Sequence, residues 1–127
     1  MTTVPFTISA SIDYPPDDGQ PVATRGSSVS GSYESKEEKT YKLEGTGTQD
    51  VDFGTVALAK AIFVEVDADS SVAAQPITLS INGGTDVWQI APGGFLAYAN
   101  PSPIAGGISS AQIAYTTAAR VHVRVVG

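Results

Sequence analysis

Residues Thr78 to Asn100 read TLSINGGTDVWQIAPGGFLAYAN, and the folding of this stretch decides the folding of the whole chain. It holds the only tryptophan, two Gly-Gly pairs, and no Lys, Arg, Glu or His. In PITLSI, Ile77, Leu79 and Ile81 alternate with Thr78 and Ser80, the period-two pattern of a strand with one buried face. Asn-Gly-Gly then supplies the positive-φ residues of a tight turn, and DVWQIA and GFLAYA flank Pro-Gly-Gly in the same way. Trp88 runs in phase with Ile90. The stretch therefore reads as strands and turns carrying an anchor, with core or interface packing as the expected fate of the indole.

The same alternation extends in both directions. Upstream, AKAIFVEVDA (Ala59 to Ala68) sets Ile62, Val64 and Val66 against Ala61, Phe63, Glu65 and Asp67, and is dense enough in β-branched and aromatic residues to be a central strand. SSVAAQ links it to PITLSI. Downstream, ISSAQIAYTT and ARVHVRVVG are expected to pair through TAA, the latter alternating Val121, Val123 and Val125 with His122, Arg124 and Val126. At the N-terminal end PFTISASIDY alternates Phe6, Ile8, Ala10 and Ile12 with Thr7, Ser9, Ser11 and Asp13, and PPDDGQP (Pro15 to Pro21) follows as a loop.

Residues 14–50 are polar. Their expected strands are SVSGSYES and KTYKLEG with charged KEE as the hairpin tip, and the alternative is an arm ordered only on a partner. No window of a dozen residues carries a helical stripe, and turn signals recur at intervals of roughly ten residues. The reading is all-β: one domain over 1–127, an antiparallel β-sandwich or jelly roll of about eight to ten short strands.

Composition narrows the function classes. The chain has no cysteine, which removes disulfides, thiolate metal sites and cysteine nucleophiles together. A formal net charge of −6 opposes phosphate backbones and anionic lipid, so neither nucleic acid nor membrane is an expected partner. The N-terminus MTTVPFTISA shows no basic leader with an apolar segment behind it, and no run approaches the roughly 20 apolar residues of a membrane helix.

Catalytic patterns are sparse. His122, the single histidine, alternates with valines and reads as a surface or interface strand residue; no GxSxG elbow accompanies it. Asp67 and Asp69 in EVDADSS resemble part of a calcium loop, but the central glycine and distal glutamate are missing, and a solvated strand end is the expectation. SINGGTD and IAPGGFL match neither phosphate-binding glycine pattern. Trp88, Phe95 and Tyr98 offer the one candidate ligand platform, aromatic rings that would stack on a sugar. No catalytic, cofactor or metal residue is assigned, and a non-enzymatic protein is expected.

With these pieces in view, VDFGTVALAKAIFVEVDA, ITLSINGG, VWQIAPGGFLAYANPSP, GGISSAQIAYTT and ARVHVRVVG, spanning about Val51 to Gly127, resemble small virion proteins of tailed bacteriophages. A Pro-Gly-Gly turn and a closing strand of alternating valines recur in the β-sandwich or jelly-roll modules of that group. The resemblance implies a capsid decoration or cement protein, located in the virion after assembly in the host cytoplasm. Such a protein would bridge major capsid subunits, as a homo-oligomer. A tail or baseplate module, contacting neighbouring tail proteins, is the alternative within that class; a carbohydrate-binding domain using Trp88 is the alternative outside it. As contact residues we single out Phe6 and Ile8, then Tyr33 and Tyr41, with Arg120 and Arg124 pairing to acids on the partner.

Overall fold

The structure, a computed structural model, describes residues 3–14, 23–68, 76–103 and 107–127, with backbone alone for 13–14 and 23–25. The ten strands among them are β1 (Val4–Tyr14), β2 (Ala23–Tyr33), β3 (Lys36–Leu43), β4 (Gly47–Asp50), β5 (Ala61–Val66), β6 (Ile77–Ile81), β7 (Val87–Ile90), β8 (Phe95–Ala99), β9 (Ala111–Tyr115) and β10 (Ala119–Val126). The last eight form two four-stranded antiparallel sheets, one in the order β3-β10-β5-β8 and the other β4-β9-β6-β7. Successive strands switch sheets, except where β6 and β7 pair as neighbours, so each sheet interleaves early and late strands. That interleaving is the jelly-roll arrangement. The all-β sandwich read from the alternation is the fold observed.

The alternation dictates which side of each strand is buried. In the first sheet Val121, Val123 and Val125 of β10 lie opposite Val66, Val64 and Ile62 of β5, and all six face inward. In the second, Leu79 lies between Ile113 and Trp88, and Ile77 opposite Ile90. Ile77, Leu79, Ile113, Val64, Val121 and Val125 are each exposed by less than 2%. Replacing one of the larger of these by alanine would cost about 2–5 kcal/mol.

Three turn expectations are corrected. Lys36 to Glu38 are not a hairpin tip but the opening of β3, whose Tyr41 and Leu43 reach the core. KEE contains no Gly, Asn or Asp able to adopt the positive φ of a tight hairpin, and β2 pairs instead with β1 over eleven residues. The pairs β7/β8 and β9/β10 are likewise not hairpins: each turn carries the chain from one sheet to the other. Alternation specifies which face of a strand is apolar but not the layer in which it lies. The Asn-Gly-Gly turn between β6 and β7 does close a hairpin, with Asn82 at φ 51° and Gly83 at 65°. Asn82 is held there because its Oδ1 accepts the Ser109 and Ser110 N–H groups at 2.9 and 3.3 Å, and its Nδ2 donates to the Gly107 carbonyl at 3.0 Å.

The ribbon β1-β2 is a sheet of its own. Eleven register pairs, from Val4↔Tyr33 to Tyr14↔Ala23, make it about 37 Å long. The loop expected at Pro15 to Pro21, and the link at Ser70 to Gln75, lie outside the described residues.

Candidate functional site

One face of the ribbon carries Val4, Phe6, Ile8, Ala10 and Ile12. Its first half is seated on the outer side of the β3-β10-β5-β8 sheet. The seat is made by Gly31, where an added Cβ would meet the Phe6 ring at 2.9 Å and Pro101 Cβ at 3.1 Å, so the absence of a side chain lets three elements close together. Lys60 Nζ donates to the Ser32 carbonyl at 2.7 Å. At the root, Glu34 and Ser35 N–H groups both donate to the Gly127 carbonyl at 2.9 Å, and Gly127 N–H returns a bond to Ser35. Ala61 points outward from β5 yet is only 4% exposed. Beneath the ribbon an apolar groove of about 350 Å³ remains, lined by Phe6, Ile8, Ala61, Phe63 and Val126 with Arg124 at its edge.

Among the described residues the second half of the ribbon has no such seat. Ser9 to Ile12 and Gly26 to Ser28 are exposed, and Ile12 reaches 68%. The apolar face thus runs on past the body of the protein. A two-stranded ribbon alone is marginally stable in water.

The rest of that outer sheet surface is a lattice of charges. Arg124 Nε contacts Glu38 at 3.2 Å and its guanidinium approaches Glu65 at 4.0 Å; Arg120 approaches Asp67 at 4.0 Å. His122 lies at the centre, with Nδ1 2.8 Å from Thr40 Oγ1 and Nε2 2.9 Å from Asp67 Oδ1. A neutral ring satisfies both contacts when Nε2–H donates to the carboxylate and the threonine hydroxyl donates to Nδ1. The order hydroxyl, imidazole, carboxylate is that of a nucleophilic triad. Here the three side chains occupy neighbouring positions on an open sheet face, where cross-strand pairing accounts for the contacts. At the sheet edge Lys39 Nζ donates to Asp52 Oδ2 at 2.9 Å. That hydrogen bond, with the Gly54 N–H and the lysine charge, holds the Asp52 carboxyl below the ordinary carboxylate range, and the same bond raises the Lys39 ammonium.

The structure separates the residues singled out from sequence. Phe6 and Ile8 are half-buried between ribbon and body, and Tyr33 packs its ring 6.4 Å from that of Phe6. Tyr41 is corrected: it is 9% exposed in the core, with its hydroxyl accepting the Asp52 N–H at 2.8 Å. Arg120 and Arg124 are half-exposed but already face acids of their own chain. The aromatic platform does not assemble, because Phe95 lies on the outer face of one sheet, stacked at 5.4 Å on Phe63, while Tyr98 faces inward from the same strand. Trp88 belongs to the other sheet; it is not a core residue but sits at the edge, 41% exposed.

Among the described residues no three His, Asp or Glu side chains converge as metal ligands. Asp69, half of the acidic pair, lies outside them. The Gly31 seat and the Thr40–His122–Asp67 chain were not foreseen, since each depends on which strands become neighbours. Comparison with family models, curated proteins and solved structures returns no match for this chain.

Proposed function

We propose that the protein is a non-enzymatic assembly component that docks through the β1-β2 ribbon, and specifically a capsid decoration protein of a tailed bacteriophage. The observation that carries the docking role is the apolar ribbon face that continues to Ile12 beyond its seat. Covering that face on a neighbouring subunit removes apolar surface from water and supports a ribbon too slender to be stable alone. The phage assignment draws on the sequence resemblance, and the jelly-roll frame, shared by viral capsid and lectin domains, is compatible with it as fold-level analogy.

The test is co-sedimentation with phage heads lacking their decoration protein. Wild-type protein should pellet with the heads and raise their melting temperature. Ile12→Asp should stay in the supernatant while keeping the wild-type circular dichroism. Heads that bind wild type and Ile12→Asp equally would refute the ribbon as the docking element. Binding to tails but not heads would refute the capsid assignment and leave the tail or baseplate role.

A further inference from the structure

The sandwich has two flanks, and they differ in kind. On one, β3 and β4 end their sheets, and β3 presents Lys36, Glu37, Glu38, Lys39 and Lys42. Charges along an edge strand discourage another strand from pairing with it. On the opposite flank the ends are β7 and β8, joined by the short turn at 91–94. No Lys, Arg, His, Asp or Glu occurs from Val87 to Ala119. Here Val87 is 54% exposed, Trp88 41% and Phe95 59%.

We propose that this flank joins two copies of the chain, β7 pairing antiparallel with β7 of the second copy across a twofold axis. Two observations select a second copy as the occupant. A strand edge paired antiparallel with itself is self-complementary under twofold symmetry, so one unprotected edge is sufficient. The charge distribution then permits the approach. With a net charge of −6, two copies approach most readily where their edges carry least charge, and β7 and β8, which hold no charged residue themselves and have Glu65 as the cross-strand neighbour of Phe95, provide that place. The nearest acid in the sequence is Asp86. With the axis at Trp88, the two Asp86 residues stand roughly 14 Å apart along the strands, beyond the Debye length of about 8–10 Å at ordinary ionic strength.

Residues opposite each other across an antiparallel pair share a face, so the axis must pass through a residue. At Trp88 it sets the two indoles opposite one another; at Gln89 it sets each indole opposite Ile90 of the other copy. Either register covers the exposed part of Trp88. Because β8 lies beside β7 on the same flank, the contact spans both layers of the sandwich. This contact is independent of what the ribbon binds.

Trp88 is the only tryptophan, so its emission reports the contact directly. Sedimentation velocity from about 1 μM to about 1 mM should show wild type passing from monomer to dimer, with the emission moving to shorter wavelength in step. Val87→Lys, and separately Gln89→Lys, change exposed side chains and should leave the melting curve intact. Each places a lysine in the contact twice and should weaken association by about 100-fold, about tenfold per copy. A wild-type protein that stays monomeric throughout would overturn the proposal. So would a dimer that survives both lysines, or one lost only in Ile12→Asp.

Discussion

The burial of Tyr41 leads to a prediction that separates a structural from a contact role. Its ring is 9% exposed and its hydroxyl is the acceptor for the Asp52 N–H at 2.8 Å. Tyr41→Phe keeps the ring and removes the acceptor, leaving a part-buried amide unpaired. The expected loss is about 1–2 kcal/mol, within the range for a stranded donor. Tyr41→Ala also removes the ring from the core and should cost about 3–5 kcal/mol. Against a typical total stability of about 5–15 kcal/mol, the second change removes a large share of the fold. For a domain of this length about 1 kcal/mol corresponds to roughly 3–5 °C in melting temperature. Tyr41→Phe should therefore melt a few degrees low and Tyr41→Ala more than ten, in urea and thermal unfolding followed by circular dichroism. If Tyr41→Ala instead melts like wild type and loses only particle binding, the ring faces a partner and the core assignment is refuted.

Other perturbations test the ribbon seat and the charged edge. Gly31→Val would drive a side chain into Phe6 and Pro101, lifting the ribbon while leaving the sandwich folded; hydrogen exchange should accelerate across β1 and β2 but not β5 or β10. Unchanged protection in the ribbon would show that the seat does not hold it. The depressed Asp52 carboxyl contributes stability above the ordinary carboxylate pKa of about 4, and that contribution disappears as pH falls through the lower folded value. Melting temperatures of wild type and Asp52→Asn should thus differ at neutral pH and converge in acid. A constant gap down to strong acid would remove the ion pair from the account. The raised Lys39 ammonium acts in the opposite direction, its contribution disappearing as pH rises through the folded value.

The inward faces of β5, β6 and β10 were legible in the sequence because alternating Ile, Leu and Val report a buried side without reference to partners. The Asn82-Gly83 hairpin was legible for a similar reason, since its conformation is written in local residues. Strand neighbours were not. The β9 and β10 patterns fit a hairpin as well as a sheet crossing, and only packing of the two layers separates the two. Tyr41 was misread because Lys42 and Glu44 follow it closely in sequence, yet period two turns the ring away from those charges and into the core. Trp88 was expected in the core or at an interface, and the core placement fails. It is in phase with buried Ile90, but β7 is the last strand of its sheet, and an inward side chain at an edge has a partner on one side only. Arg120 and Arg124 are isolated in sequence and surrounded in space, because Glu38, Glu65 and Asp67 come from neighbouring strands.

The placement of β10 sets an order of events during synthesis. It lies between β3 and β5, and its pairing with β3 joins residues about 80 positions apart. At a translation rate of about 5–20 residues per second, β3 waits several seconds on the ribosome for its neighbour. Throughout that interval it is an unpaired strand, open to any other nascent chain. The Lys and Glu residues along Lys36 to Lys42 keep it soluble while it waits. The same charges that guard the finished edge therefore act first as a safeguard of biogenesis, and neutralising them should show as lower soluble yield before any change in the folded protein.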